Sequence, residues 1–448
     1  MDHLAEDLAQ RLAHLVRGEG DAAALISALQ DVPPADIAVA AASFPEAEIA
    51  ELFKRLPEEL SGAVLVELPD EIREDVLELL TPHEIAEVVE ELESDDAADV
   101  VSELADEKAG KVVGLLEEED RRDIAQLLAY PEDSAGGIMQ LEVVWVREDR
   151  TVARAIEKIR LAFGDVKEDL YYVYVVDGAR RLVGKLPLAR LILAGEHETV
   201  HDIMEDVQSV PAEMDQEEVA RIFLKYNQPS LPVVDREGRL LGRITHDDVA
   251  DVIQDEAEED YSRLAGTDEE DVTEQSILRK AAIRLPWLVT GLMGGVLSAV
   301  VLSRFEMRLT AVIALAFFVP VITAMGGNVA IQSSAVMVRA LATGDVRPRD
   351  ATRRLAREAG VSVITGVICA LLIFLAAWAW SGDRRLGIVV GGSMLAVILI
   401  ATSVGAFVPL TLARLNVDPA LATGPFVTTS NDVLGILIYL TLASWMLG

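Results

Sequence analysis

The chain has 448 residues, 75 of them acidic and 39 basic, and its net charge of −36 is unevenly spread. Residues 1–280 hold 68 acids against 27 bases, while residues 281–448 hold seven acids against 12 arginines. So acidic a first portion repels nucleic acid and anionic lipid and attracts cations, and the single cysteine, Cys369, excludes an intrachain disulfide framework or cysteine metal site.

The opening residues, Met1-Asp2-His3-Leu4-Ala5-Glu6-Asp7, lack the basic and apolar regions of a signal peptide, so this end is expected in the cytoplasm. Leucines then recur every twelve residues at Leu56, Leu68, Leu80, Leu92, Leu104, Leu116 and Leu128, with Phe44 in phase. Helix-start signals follow several of them, as in Leu56-Pro57-Glu58-Glu59, Leu68-Pro69-Asp70-Glu71, Thr81-Pro82-His83-Glu84 and Glu93-Ser94-Asp95-Asp96. A period of twelve fits one short helix and a turn, and stacking such units gives an all-α superhelical domain over residues 1–130.

At Tyr130-Pro131-Glu132-Asp133-Ser134-Ala135-Gly136-Gly137-Ile138-Met139 the leucine period stops and short β-branched runs begin. Residues 141–146, 171–176 and 182–186 read as strands, with helical stretches at 152–163 and 187–195. A similar order returns in a helix at 216–226, strands at 230–234 and 240–244, and a helix after Thr245, which makes two copies of a β-β-α unit. Leu231-Pro232-Val233-Val234-Asp235 and Gly242-Arg243-Ile244-Thr245-His246-Asp247-Asp248 resemble the second repeat of a tandem CBS module, an α/β regulatory fold expected over residues 131–250. That resemblance implies a ribose-holding role for Thr245 and Asp248, with ATP or another adenosyl compound as ligand. The equivalent stretch of the first copy, Gly184-Lys185-Leu186-Pro187-Leu188-Ala189, has neither residue type.

Between Asp247 and Glu274 stand thirteen acids and one arginine, Arg263. On a helix, Asp248, Asp251, Asp255, Glu258 and Glu259 share one face at three- and four-residue spacing, and such a face needs solvent or a cation to screen it. Spaced carboxylates suit a hard ion such as Mg²⁺, which keeps several waters and takes one or two carboxylates. A connecting helix over residues 251–280 leads directly into the first of five segments long enough to cross a bilayer, at 286–303, 311–338, 360–380, 387–412 and 424–447. Arg339, Arg347, Arg349, Arg353, Arg354 and Arg357 crowd one connection, and Arg279, Lys280 and Arg284 precede the first span. The positive-inside rule puts these and the acidic portion in the cytoplasm, leaving the C-terminus outside.

Two motifs in the spans carry chemistry. The second contains Pro320, Gly326, Gly327, Asn328 and Gln332, where proline and paired glycines are expected to break or loosen the helix, and where Asn328 and Gln332 share a face. The alternative reading of Gly326-Gly327 is close helix packing, the role that also fits Gly291 to Gly295 in the first span. The fifth span contains Thr428, Thr429, Asp432 and Gly435. A carboxylate in a bilayer costs about 2.5–3.5 kcal/mol on insertion scales, so Asp432 points to cation handling.

Together with the order of parts along the chain, these motifs resemble the MgtE family of magnesium channels. The resemblance implies a multi-domain membrane protein with a helical superhelix, a tandem CBS domain, a connecting plug helix and a five-helix transmembrane domain over residues 281–448. It implies a homodimer in the cytoplasmic membrane with an ion path on the two-fold axis, where Asp432, with Asn328, meets hydrated Mg²⁺. It also implies a cytoplasmic Mg²⁺ sensor in which Glu59, Asp95 and Asp96 face Asp247, Asp248 and Asp251, with Asp215, Glu217, Asp255, Glu258, Glu259 and Asp418 as further ligand candidates. Competing readings are a CBS-regulated transporter of Mn²⁺ or Co²⁺ or of a proton-coupled solute, an enzyme at the membrane face, and an anchored acidic scaffold. Against them, no lysine or arginine lies centrally in any span, no nucleophile arrangement or phosphate loop is present, and a scaffold gives Asp432 no purpose.

Overall fold

The computed structural model describes residues 2–18, 22–162, 170–265, 276–342, 351–415, 417, 419 and 425–447. Asp418, Gly424, Arg347, Arg349 and the acids Asp268, Glu269, Glu270, Asp271 and Glu274 lie outside the described residues. The chain divides into two compact units, Met1–Gln254 and Asp255–Gly448.

The first unit opens with α1 (Asp2–Arg17), α2 (Ala22–Leu29), α3 (Pro34–Ala41), α4 (Glu46–Phe53), α5 (Glu58–Val66), α6 (Asp70–Leu79), α7 (Pro82–Val89), α8 (Ser94–Ser102), α9 (Asp106–Leu115) and α10 (Glu118–Leu127). Helices this short are marginal alone, and they gain stability by packing on the next-but-one neighbour: α3 on α5, α5 on α7, α7 on α9, α4 on α6 and α8 on α10. The twelve-residue leucines fall at the turns between helices. Leu56, Leu68, Leu80, Leu104 and Leu116 are buried there, and Leu92 and Phe44 pack against the same core. Leu128 departs from the pattern at 44% exposed, because no further repeat follows to cover it. Prolines stand at the N-cap of α4, α5 and α6, and α7 starts with a capping box between Thr81 and Glu84. Several bases of this acidic domain close helix C-termini, whose last carbonyls lack intrahelical partners. Arg55 donates to Leu15 O at 2.7 Å, Lys108 to Leu77 O at 2.5 Å and Arg121 to Leu116 O at 2.7 Å.

The α/β part holds two copies of one unit. The first comprises β1 (Trp145–Arg147), α11 (Val152–Ala162), β2 (Tyr172–Val176), β3 (Leu182–Pro187) and α12 (Leu188–Leu193). The second follows as α13 (Val200–Ile203), β4 (Val210–Pro211), α14 (Gln216–Tyr226), β5 (Ser230–Val234), β6 (Leu240–Thr245) and α15 (His246–Ala265). In each sheet the first strand runs parallel and the third antiparallel to the middle one, with a register shift at Val175/Val176 and at Val233/Val234. The turns match too, since Asp177 and Asp235 each accept from the backbone N–H two and four residues on. Strand β1 is shorter than the run 141–146, because residues 140 and 141 bond elsewhere: Gln140 exchanges backbone hydrogen bonds with Arg243, and Leu141 N donates to Ser94 Oγ at 2.8 Å.

The second unit contains α16 (Ile277–Ser303), α17 (Glu306–Ala311), α18 (Ala314–Ala342), α19 (Ala351–Ser381), α20 (Arg384–Arg414) and α21 (Pro425–Met446). All except α17 are long and apolar enough to cross a membrane. Helix α20 is the centre of the bundle, packed on α18, α19 and α21, and α16 packs on α21. Contrary to the expected break, α18 runs unbroken through Pro320, Gly326 and Gly327. Pro320 lies in its second turn, and the glycines serve close packing rather than unwinding. Phe317 stacks on Trp380 at 6.0 Å and Arg384 lies over Trp378 at 5.6 Å, so aromatic rings gather at one end of the bundle, as at a membrane interface.

Candidate functional site

Two clusters carry the chemistry, one in each unit. In the bundle, α18 turns Gly326 and Gly327 inward and exposes Asn328 and Gln332, one turn apart. Helix α21 packs against α18 and presents Asp432, half-buried, while its neighbour Asn431 points inward at 3% exposed. The threonines are placed by glycines. Thr429 occupies the space left by the missing side chain of Gly294 on α16, and Thr428 Cγ2 is 3.9 Å from where a Cβ of Gly327 would stand. Gly435 is buried, with Val397 of α20 at 3.7 Å from its Cβ position, and Pro320 is exposed. The Tyr439 hydroxyl, fully buried, donates to Leu315 O at 2.9 Å and fastens α21 to α18 two turns beyond Asn431. Asn431 was not singled out in the sequence. Its signal is its four-residue spacing from both Val427 and Gly435, which marks the packed stripe of α21.

In the first unit, the start of α8 meets the segment after the superhelix and the start of α15. Glu142 accepts from Ser94 N at 3.2 Å and from Ser94 Oγ at 2.7 Å, and Gln140 Nε2 donates to Glu93 Oε2 at 2.6 Å. Ala98 of α8 joins Val249 and Val252 of α15 in one apolar core. Beside that contact lie the acids. Asp95 is 5% exposed, and its Oδ1 has no hydrogen-bond partner among the described residues. Burial holds its carboxyl well above the usual range, with Asp248 and Asp96 adding to the effect. Asp96 is pushed up to about 7 by burial and then by Asp248. Glu93 reaches about 7 through burial and then Glu142. Asp251 is raised by burial and by Asp247 and Asp70. Glu93 and Glu142 were missed in the sequence, although Glu142 is a lone acid in the apolar run Leu141 to Val146.

Each of the other ligand candidates has its own local surroundings. Glu59 is exposed at the start of α5. Asp215 caps α14 by accepting from Glu217 N at 2.9 Å, and Glu217 reaches Arg221 at 3.9 Å. Asp255 and Glu258 are exposed on α15, and Glu259 pairs with Arg263. No group of three or more histidine, cysteine or acidic side chains among the described residues forms a ready cage for a metal ion. Thr245 and Asp248 are engaged with each other: the Thr245 backbone N–H and hydroxyl both donate to Asp248 Oδ2, at 2.8 and 2.5 Å.

Five spans in one unit, with a helical domain and a CBS pair in the other, define a multi-pass membrane protein with large domains outside the bilayer. The sequence agrees: residues 319–442 match the MgtE profile, described as a divalent cation transporter, residues 32–133 the MgtE intracellular N domain, and residues 200–255 the CBS domain. Over 330 residues the chain is 42% identical to the magnesium transporter MgtE of Thermus thermophilus, covering 73% of each chain. It is 38% identical over 326 residues to that of Bacillus subtilis, covering 72% of each. The chain belongs to the MgtE family. Among solved structures it is similar to the cytosolic domain of the Mg²⁺ channel MgtE in complex with ATP, at 37% identity and a TM-score of 0.51, covering 55% of this chain and 99% of that one. A second, the soluble part of a magnesium transporter, gives 29% identity and a TM-score of 0.52, covering 56% and 99%.

Proposed function

We propose that the protein is a Mg²⁺-selective channel, working as a homodimer in the cytoplasmic membrane, that cytoplasmic Mg²⁺ closes. The observation that carries the reading is the outward polar stripe: Asn328 and Gln332 exposed on α18, and Asp432 half-buried on the neighbouring α21. Polar groups on spanning helices face protein or water rather than lipid. A second copy meeting this face supplies both, and puts two Asp432 carboxylates across one path. Two carboxylates match a divalent charge, and binding through retained waters avoids stripping a tightly held shell. Pro320, Thr428, Thr429 and Gly435 shape the helices around that path.

The acidic joint is the sensor in this reading. Burial and the charge of Asp248 disfavour the ionised Asp96 carboxyl in the compact joint, so without a cation its charge opposes that form. A ligand that binds only the compact form at about 100 times its Kd returns about 2.7 kcal/mol, so Mg²⁺ between Asp95, Asp96, Asp247 and Asp248 can decide whether the joint holds. The buried Asp95 Oδ1, without a hydrogen-bond partner among the described residues, fits such an ion or its water shell. Asp251, Asp255, Glu258 and Glu259 extend the acidic face along α15, the chain's link to the membrane unit, with the N-terminal domains in the cytoplasm and the C-terminus outside. A relative's cytosolic domain is known in complex with ATP, and we extend an adenosyl ligand to the second CBS copy of this chain.

Mg²⁺ influx into liposomes holding the purified protein tests the reading, with Asp432→Ala beside the wild type. Loss of flux in the variant supports it. Undiminished flux removes Asp432 from the path, preferential Mn²⁺ or Co²⁺ flux supports the other-metal reading, and no flux of any of these ions in the wild type supports the scaffold.

A further inference from the structure

We propose that Asn431 is a positioning residue for ion selection, seated in the notch of Gly326 so that α21 is held in the rotation that aims Asp432 at the path. The proposal rests on the channel reading above and adds to it the part that sets the geometry of Asp432. A Cβ at position 326 would lie 2.5 Å from Asn431 Nδ2 and 3.1 Å from its Oδ1, with Val397 Cγ1 at 2.9 Å, so the carboxamide lies against bare backbone and a methyl there would have to displace it.

The placement is costly for packing alone. Asn431 is 3% exposed, and its Nδ2 has no acceptor among the described residues. A buried polar group left unsatisfied carries an uncompensated desolvation cost, and leucine, of similar size, would fill an apolar contact without it. The position relative to Asp432 supplies a reason. Consecutive residues on a helix point about 100° apart, so fixing the direction of Asn431 fixes that of Asp432. Tyr439, bonded to Leu315 O, is the second fastening on the same stripe, and two fastenings prevent α21 from turning about its axis. Gly326 also lies two residues before Asn328. One contact therefore sets both polar groups of the proposed path.

The test is a double-mutant cycle in liposomes, reading Mg²⁺ flux and the ratio of Mg²⁺ to Ca²⁺ flux, with monodispersity in detergent as the folding check. Gly326→Ala places a methyl on the carboxamide and is expected to lower the flux ratio about fivefold or more; Asn431→Ala, which introduces no clash, is expected to lower it less. Combining them gives the methyl the space of the lost carboxamide, so the double variant is expected to recover relative to Gly326→Ala, as touching residues couple. A double variant no better than Gly326→Ala, or single variants that lower Mg²⁺ and Ca²⁺ flux in equal proportion, overturns the proposal. Should Gly326→Ala fail to fold, Asn431→Ala alone decides through its flux ratio. If Asp432→Ala abolishes flux while the 326 and 431 variants keep the wild-type ratio, this inference fails and the channel reading stands. Undiminished flux in Asp432→Ala removes both.

Discussion

Thr245 and Asp248 are bound to each other at the start of α15, with one carboxylate oxygen accepting both the backbone N–H and the hydroxyl of the threonine. That pairing fixes the carboxylate where its charge bears on Asp95 and Asp96. The two residues that read as a ribose site in the sequence are thus also coupled to the acids of α8.

Removing the charge of Asp248 should therefore mimic the cation. Asp248→Asn relieves the repulsion felt by Asp95 and Asp96, and the joint is expected to stay compact without Mg²⁺. Limited proteolysis of α15 in the full-length protein checks this. The wild type should be cut readily in chelator and protected by millimolar Mg²⁺, whereas the variant should resist cleavage in both. Equal cleavage of the wild type with and without Mg²⁺ would remove the sensor role.

The joint should also respond to pH in a definite direction. Glu93 and Asp96 have folded-state values of about 7, above their ordinary 4.5 and 3.8. The folded joint binds protons more tightly than the unfolded chain, so its stability is greatest below the ordinary values. It falls as pH rises through about 7, by up to about 1.4 kcal/mol per pH unit for each group. In metal-free buffer, amides of α8 should be better protected from hydrogen exchange at pH 6 than at pH 8, after correction for intrinsic rates. Added Mg²⁺ should narrow the difference, because it neutralises the same carboxylates. Greater protection at pH 8 would contradict the assignment.

Most of the architecture was legible because its signals are periodic: the twelve-residue leucines, the paired strand runs and the five apolar segments each impose a spacing. What was not legible depends on contacts distant in sequence. Glu142 gives no sign that it will receive Ser94, and the role of Gly326 depends on Asn431, more than a hundred residues later. Pro320 misled for a different reason. A proline removes one hydrogen bond near the start of a long helix, and packing against α20 and α21 outweighs that local loss. Asp432 and Asn328 were visible because an ionisable or amide side chain in an apolar span is conspicuous anywhere.

Tyr439→Phe removes one buried hydrogen bond, to Leu315 O, while keeping the ring. The carbonyl keeps its place in the helix, so the loss should be about 0.5–1.5 kcal/mol. Thermal unfolding in detergent should show a slightly lower Tm with Mg²⁺ flux retained. An unchanged Tm would mean that the bond contributes nothing to the bundle.

The proposed dimer can be tested on the outward polar stripe itself. With Cys369→Ala removing the chain's single cysteine, Gln332→Cys places a thiol on the exposed face of α18 that the two copies are proposed to share. If the ion path runs between the copies, the two thiols line it, and a bifunctional maleimide long enough to span a hydrated-ion path should give a covalent dimer in membranes. Leu372→Cys is the control: Leu372 is 63% exposed on α19, within an apolar face suited to lipid, and should stay monomeric. A direct disulfide needs Cα atoms within about 7 Å, too close for a path that holds a hydrated ion, so the reagent must bridge, and bridging at 332 alone marks specific apposition rather than random collision in the bilayer. Equal cross-linking at both positions would indicate collision, and cross-linking only at 372 would place the interface, and with it the path, on the other side of the bundle.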